Sequence, residues 1–208
     1  MGLRESKKLQ TRQEIADQAM RLFALRGFDR VTVAEVASAV GVSEKTVFNY
    51  FPTKEDLFFD EVPKRQAALV AAVRGRAPGE SVVSALRRLQ GAQCQRLCSP
   101  GFVTFARIIE ESPALQAKEL EVMASLTEAL ADAIRDELRV PELDAHIAAN
   151  MLVGVQWQIF RNARAQALAG RHGPAAVRRL RSDLERAYRL LEHGLGSLED
   201  VAAERAAS

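Results

Sequence analysis

The chain has 208 residues, a formal net charge of +2 and two cysteines. This length suits one medium-sized domain, or a small head joined to a larger body. It contains no apolar run of about 18 residues, and its basic N-terminus lacks the apolar core of a signal peptide, so we expect a cytoplasmic protein that neither enters a membrane nor is exported. Two cysteines form no disulfide framework, which agrees with a reducing compartment.

Positive charges are concentrated near both ends of the chain. Arg4, Lys7, Lys8 and Arg12 are predicted to form a basic arm before the first helix. A second basic cluster lies within residues 171–189, and such a cluster is usually a solvated helix face. The first cluster adjoins the motif described below, and it is therefore a candidate for contacting phosphate.

Apolar residues recur at helical spacing along the whole chain, and no strand alternation occurs. The first helix is predicted to end at Gly27, with Phe28 folding back on it. Its buried side should be an apolar stripe at i, i+3 and i+4 spacing. That stripe consists of Leu9, Ile15, Ala16, Ala19, Met20, Leu22 and Phe23.

Three capped helices are predicted next. A capping box from Thr32 to Glu35 opens a helix through about Val40, and Ser43 caps another at residues 44–50. Pro52 breaks the chain, and Thr53 caps a fourth helix predicted to span about residues 54–74. The side chains expected to face the core are Val33, Val36, Ala37, Val40, Val42, Val47 and Phe51.

Five longer helices are predicted beyond the break at residues 77–79. Their expected bounds are residues 81–97, 102–111, 113–138, 142–169 and 174–195. We therefore predict an all-α fold in which a three-helix N-terminal head, residues 1–57, precedes a larger helical domain, residues 58–208. The fourth helix would connect the two.

The residues between Thr32 and Tyr50 are typical of a helix-turn-helix, because a tight turn containing Gly41 separates two short helices. The second of these helices would be about 10 Å long, which suits the DNA major groove, about 12 Å wide. Lys45 and Asn49 would share one face and could bond guanine and adenine edges. On spacing alone, an ordinary small helical core with polar caps is the alternative.

Other polar residues around this helix suit different contacts. Thr46 could meet a thymine methyl or a phosphate, while Tyr50 and Lys54 stand where the DNA backbone would pass. The amide groups near Thr53 could hold another phosphate. Glu44 repels phosphate, and it is useful only as an acceptor for cytosine N4 or as a partner for Lys45.

Residues 28–37 and 41–57 together resemble the signature of the TetR family of bacterial repressors. The turn, the capping residues, the aromatic residues and the run from Lys54 to Leu57 all occur at the spacing of that signature. The resemblance covers about the first 57 residues. The rest is similar only in being helical and of suitable length. The resemblance implies a transcriptional regulator, expected to be a repressor, that binds palindromic double-stranded operator DNA as a homodimer and is released by a small-molecule inducer.

By position, the resemblance assigns DNA contacts to Thr32, Ser43, Lys45, Thr46, Phe48, Asn49, Tyr50 and Lys54. Where this chain has Phe48 the family often has tyrosine. Since phenylalanine has no hydroxyl to give to phosphate, Phe48 is expected to pack rather than bind.

The family plan also makes residues 58–208 a ligand-binding and dimerisation domain, in which the last two long helices pair with their copies. Two apolar stripes on residues 142–169 fit this plan, although a helix buried on both sides within a monomer is the alternative. We expect a largely apolar inducer, while plain core is the alternative for each lining residue. The candidates are Cys94, Phe102, Phe105, Ile109, Met123, Leu126, Met151, Val155, Gln158 and Asn162.

Two other classes of function compete with this interpretation. An enzyme would need a nucleophile with its base, a metal cluster or a Gly-rich phosphate loop, and the sequence offers none, so neither catalysis nor a cofactor nor a metal is expected. A helical dimer that binds protein or membrane and has lost DNA binding is favoured only by Glu44 and Phe48. Cys94 and Cys98 lie at i, i+4 without a nearby histidine or acid, so two unreactive thiols are expected.

Overall fold

The computed structural model describes residues 3–193, which form ten helices and no strand. The all-α prediction is confirmed. The predicted end of the last helix, at residue 195, lies outside the described residues. The bounds are α1 Leu3–Arg26, α2 Val33–Val40, α3 Glu44–Tyr50, α4 Lys54–Phe58, α5 Val62–Arg74, α6 Val82–Leu97, α7 Pro100–Glu110, α8 Pro113–Leu138, α9 Glu142–Leu168 and α10 Pro174–His193.

The helices form two compact units that do not follow the order of the chain. The head unit contains the described residues up to Lys64 together with Thr104–Val122, and the body unit contains Arg65–Val103 together with the described residues from Met123 onward. The end of α7 and the start of α8 therefore pack with the head. The predicted functional division at residue 57 stays a prediction. Within residues 3–193, each helix is too short or too polar to span a lipid bilayer.

The basic cluster near the N-terminus is not an arm that precedes the first helix. Since α1 begins at Leu3, Lys7, Lys8 and Arg12 all belong to it, and this expectation was wrong. The physical reason is that residues 3–12 contain no glycine or proline and are rich in good helix formers. The side chain of Arg4 lies outside the described part of the structure.

The predicted fourth helix is two helices, because α4 ends at Phe58 and α5 begins at Val62. Pro63 explains the break: its ring would clash with the carbonyl of the residue four positions earlier, Phe59, and it has no N–H to donate. The Phe59 N–H closes α4 by donating to the Glu55 carbonyl at 2.9 Å, and the Val62 N–H donates to the Phe59 carbonyl at 3.0 Å.

Aromatic side chains form the centre of the head unit. Phe58 stacks on Phe105 at 4.5 Å between ring centroids, meets Phe59 edge-on at 5.1 Å, and lies 6.4 and 6.3 Å from Phe23 and Phe28. Phe28 itself lies 4.9 Å from Phe23, which confirms that it folds back on α1. Burial of large rings stabilises more than any other side-chain class, so this cluster fixes the head.

Two polar contacts also tie the start of α8 to the head unit. The Ser112 hydroxyl donates to the Asp29 carboxylate at 2.8 Å, in the loop before α2. The Lys118 ammonium lies 3.2 Å from the Asp56 carboxylate of α4. The loop before α2 and the beginning of α4 are therefore both linked to α8.

The body unit is organised around α10, which packs against α6 and α9. Leu180, Leu184 and Tyr188 lie at i, i+4 and i+8 on α10 and are each at most 1% exposed. They form the buried stripe of an amphipathic helix.

We expect Phe58→Ala to lower the free energy of unfolding by about 3–5 kcal/mol, because it leaves a cavity at the centre of the aromatic cluster. Urea denaturation followed by circular dichroism, at one protomer concentration, would measure the change. Phe48→Ala is the matched control: Phe48 is 46% exposed, so the same substitution should cost within about 0.5 kcal/mol. Equal losses in the two variants would contradict this description of the core.

Candidate nucleic-acid interface

The turn between α2 and α3 depends on a left-handed glycine. Gly41 has φ of 73°, and its N–H donates to the carbonyls of Ala37 and Ser38. A side chain would be strained in this conformation, so glycine suits the position that closes α2. The turn brings Val36 and Val47, both buried, onto the inner side of the two helices.

The capping box that opens α2 is complete. The Thr32 hydroxyl accepts from the Glu35 N–H at 3.2 Å, and the Glu35 carboxylate accepts from the Thr32 N–H at 2.8 Å. Arg26 adds an ion pair to Glu35 at 2.8 Å. The hydrogen bond from the Thr32 backbone, followed by those from the Arg26 and Thr32 side chains, lowers the pKa of Glu35 to about 2.

The start of α3 is capped in a related way. The Ser43 hydroxyl accepts from the Thr46 N–H at 3.1 Å, and the two hydroxyls lie 2.8 Å apart within hydrogen-bond distance. Within the chain, the Ser43 and Thr46 side chains therefore bond to each other. The DNA contacts expected of Ser43 and Thr46 stay predictions, as does the contact expected of Thr32.

The outer face of α3 carries Lys45, Phe48 and Asn49, all exposed. These residues lie at i, i+3 and i+4, so they form one surface. The expectation that Phe48 packs was wrong, because Val47 takes the inward position and the next residue points about 100° away around the helix. Glu44 makes no ion pair with Lys45 among the described contacts.

Two cations of the head unit lie over aromatic rings, which the sequence analysis did not predict. The Lys54 ammonium is 4.2 Å from the centroid of Phe28, and burial lowers its pKa against the opposing effect of nearby acids, Asp29 first. The Arg12 guanidinium is 4.7 Å from the Phe51 centroid and donates to the backbone carbonyl of Asp60 at 3.0 Å. Arg12 therefore links α1 to the end of α3.

The predicted ligand-binding residues fall into three places. Cys94, Phe102 and Leu126 are buried in the body unit, where Met123 is partly exposed. Phe105 and Ile109 belong to the head unit. Burial raises the pKa of both thiols, Cys94 and Cys98, so they are protonated and weakly nucleophilic at neutral pH. All these ligand assignments stay predictions.

The remaining candidates lie on an open groove between α9 and α10. Met151, Val155, Gln158 and Asn162 line it with Leu190 and Leu191 of α10. The Asn162 amide donates to the Asp183 carboxylate at 2.8 Å. The structure therefore separates these four residues from the buried candidates of the body unit.

Gln90 is a buried polar residue that was not predicted as a site residue, and it is only 6% exposed in the middle of α6. It lies between Leu86 and Cys94 at i, i+4 spacing, on the buried stripe of that helix. A glutamine in an apolar stripe was the available signal, since buried amides need hydrogen-bond partners.

Capped helices, a glycine turn and an exposed polar face on α3 define a helix-turn-helix, the motif with which many DNA-binding proteins enter the major groove. The family model described as bacterial regulatory proteins, tetR family, matches residues 15–60. The regulator LuxR of Vibrio harveyi is 48% identical over 54 residues, 26% of either chain. Residues 15–60 are therefore a helix-turn-helix of the TetR family of transcriptional regulators, which confirms the resemblance drawn from the sequence.

Other relatives extend beyond the head. The regulator TcmR of Streptomyces glaucescens is 28% identical over 57% of this chain and 56% of its own length, so the chain spans little more than half of it. The repressor Rv1474c of Mycobacterium tuberculosis is 27% identical over 68% of this chain and 73% of its own length. These relatives are regulators and not enzymes, which confirms the exclusion of catalysis.

Solved structures share the fold over most of this chain. FadR of Thermus thermophilus, a repressor in complex with lauroyl-CoA, is 26% identical, with a TM-score of 0.53 over 88% of this chain and 94% of FadR. NalD of Pseudomonas aeruginosa is 21% identical, with a TM-score of 0.57 over 86% of this chain and 96% of NalD. The likeness to NalD shows the fold alone.

We expect Glu35→Gln to lower the thermal midpoint most at neutral pH. Because the pKa of Glu35 falls from 4.5 to about 2 on folding, its stabilisation is complete above about pH 4.5 and is lost as the pH falls towards 2. The difference between wild type and variant should therefore shrink over that range in thermal denaturation. Glu44→Gln, an exposed glutamate of α3 outside the capping box, is the control. A constant difference for Glu35→Gln would rule out the capping contribution.

Proposed function

We propose that this protein is a homodimeric repressor that binds palindromic operator DNA through α3 and releases it when a small, largely apolar effector binds the body. The observation that carries this proposal is the exposed face of Lys45, Phe48 and Asn49, held outward by buried Val47 within the family-matched segment. Binding to chromosomal DNA would make the cytoplasm its working compartment.

The chemistry of this face suits base recognition in the major groove. Lys45 can donate to guanine O6 and N7, and Asn49 can bond adenine N6 and N7. Phe48, between them, offers a ring to a thymine methyl, and this contact explains why an aromatic side chain remains exposed. Glu44 could accept from cytosine N4, which would penalise other bases at that position.

Phosphate contacts would fix the head on the DNA backbone. Tyr50 carries a hydroxyl at the end of α3, and Lys7 and Lys8 are exposed on α1. Lys54 can serve only by leaving the Phe28 ring that its ammonium now covers. We therefore place Lys54 at the edge of the DNA contact rather than at its centre.

An exposed apolar stripe on α9 supports the dimer. Leu143, Ile147 and Met151 lie at i, i+4 and i+8 on α9 and are 69%, 50% and 47% exposed. Exposed apolar stripes of this length mark interaction surfaces. A two-fold axis here would present the same surface from each protomer, and the two heads could then meet half-sites one helical turn or more apart.

An effector would release DNA by favouring a dimer state whose heads do not fit the operator. The FadR complex with lauroyl-CoA supports an effector with a long apolar part, since FadR is 26% identical to this chain over most of its length. Cys94, Phe102 and Leu126 supply buried apolar surface for it in the body unit.

We expect Lys45→Ala to weaken binding to the DNA upstream of the protein's own gene by about 1–3 kcal/mol, and to relax the preference at one base position. Tyr50→Ala should weaken binding to all DNA sequences about equally. It should also reduce the slope of log affinity against log salt concentration by the amount that corresponds to about one phosphate contact. Electrophoretic mobility shifts at several salt concentrations would measure both effects.

Lys64→Ala is the matched control, because the Lys64 side chain is 78% exposed on α5, away from the family-matched segment. Its affinity should equal that of the wild type. If the double variant Lys45→Ala, Tyr50→Ala kept full affinity, DNA binding through α3 would be wrong.

We expect Met151→Asp to weaken self-association by about 2 kcal/mol or more, since it places an unpaired charge inside the proposed interface. Sedimentation velocity over a range of concentrations would show a shift from dimer to monomer. Leu25→Asp, on the exposed side of α1, should leave the dimer intact. A wild-type protein that sediments as a monomer at all concentrations would rule out this interface.

A further inference from the structure

The body unit contains a long segment without acidic residues. No Asp or Glu occurs between Asp144 and Asp183, although Asp and Glu make up 27 of the 208 residues of the chain. Four arginines of this segment lie in the turn before α10 and in the first half of that helix. We call them the α10 basic surface, and they are Arg171, Arg178, Arg179 and Arg181.

The side chains of the α10 basic surface have no partners among residues 3–193. All four are exposed, and none of them forms an ion pair or a side-chain hydrogen bond with another described residue. Arg87 and Arg186 of the same unit are, by contrast, paired with carboxylates. The four arginines therefore present positive charge that no carboxylate of the described chain neutralises directly.

Backbone hydrogen bonds fix the turn in which this surface begins. The Arg171 N–H donates to the Gln166 carbonyl at 2.9 Å and so closes α9. The Gly173 N–H donates to the Cys98 carbonyl at 3.2 Å, which brings the turn between α6 and α7 alongside. Residues 81–103, which include that second turn, also contain no Asp or Glu. Two segments without acids therefore meet at this end of the body unit.

The acids that flank the α10 basic surface are already paired with other arginines. Two of them follow the surface on α10, and the third lines a groove with Arg181 across from α6. The pairs are Asp183 with Arg186 at 2.8 Å, Glu185 with Arg87 at 3.8 Å and Glu80 with Arg88 at 3.1 Å. These carboxylates therefore offset the charge of the surface only weakly.

The size and charge of this surface suit the backbone of duplex DNA. Arg178 and Arg181 lie at i, i+3 on one face of α10, and Arg179 borders that face. From Pro174 to Arg181 the helix extends about 10 Å, and a duplex carries about six negative charges over such a length. The forked guanidinium matches phosphate oxygens. A second copy of this surface would bring like charges together, so self-association does not explain it.

We propose that the α10 basic surface contacts the phosphate backbone of duplex DNA, in addition to the contacts proposed for α3. This inference deepens the proposed function, on which it rests, by assigning a part of the DNA contact to the body unit. Phosphate contacts carry no sequence information, so the body would add affinity while α3 would choose the sequence.

Neutralising the surface tests this proposal. We expect the triple variant Arg171→Gln, Arg178→Gln, Arg179→Gln to bind the DNA upstream of the protein's own gene about tenfold more weakly near 0.1 M salt. The slope of log affinity against log salt concentration should fall by about two, which corresponds to one phosphate contact per protomer of the proposed dimer. The affinity ratio of this DNA to a scrambled duplex should stay the same. Mobility shifts over a range of salt concentrations would measure all three quantities.

A second triple variant removes the same charge from other parts of the body unit. Its substitutions are Arg74→Gln, Arg135→Gln and Arg139→Gln, on α5, on α8 and directly after α8. It should keep the wild-type slope. Equal falls in the two variants would show an effect of net charge alone, and a wild-type slope in the first variant would show a solvated helix face. Either result would overturn the proposal.

Directed cleavage would locate the contact without removing more than one arginine. Arg178→Cys can be labelled selectively with an iron chelate, because both native thiols, Cys94 and Cys98, are buried. The labelled protein should cut the bound DNA, whereas the same label on Arg139→Cys should not. Absence of cutting from position 178 would overturn the proposal even if the triple variant does not fold.

Two further outcomes separate this inference from its alternatives. If the triple variant loses binding to phosphatidylglycerol vesicles and keeps the wild-type slope on DNA, the surface binds membranes and the proposal is wrong. If Lys45→Ala weakens operator binding but the triple variant does not, the body contact fails while the proposed repressor stands. If the wild type binds all duplexes equally and the triple variant lowers the slope, the body contact stands and operator recognition fails.

Discussion

The packing of Phe58 at the end of α4 determines how the rest of the head is arranged. Its ring contacts Phe23 of α1, Phe28 in the following loop and Phe105 of α7, so one buried side chain fixes four segments of chain. On this foundation α2 packs against α1, and α3 packs against α2. The outward direction of the polar face of α3 is therefore a consequence of apolar burial, since Val47 can enter the core only in that orientation.

The two units differ in how their polar groups are hydrogen-bonded. In the head, the side chains that begin α2, α3 and α4 satisfy their own backbone amides, starting from Thr32, Ser43 and Thr53. Such local bonds make a rigid surface that needs no partner to be stable. In the body, the buried amide of Gln90 has no such bond. The proposed function would use this difference, with a head that keeps its shape and a body that responds to a molecule, because unpaired buried groups gain most when a partner arrives.

Local signals in the sequence predicted the head well. Thr32, Gly41 and Ser43 gave the bounds of α2 and α3 correctly, because a cap or a glycine turn acts over three or four residues. The errors have equally local causes. The break before Pro63 depends on one ring inside an otherwise helical pattern. The exposure of Phe48 depends on its position about 100° around α3 from Val47, and not on its missing hydroxyl.

The sequence by itself therefore determined the class of fold, the helix-turn-helix and the shared face of Lys45 and Asn49 on α3. Only the tertiary structure decided that residues 104–122 pack with the head, and that the candidate ligand residues divide between a buried core and an open groove. Helical periodicity shows which residues share a face, but it does not show which helix that face meets. Arg65, Gln90 and Gln156 line one cavity from three helices that are far apart in the chain, so no local sequence pattern could predict that cavity.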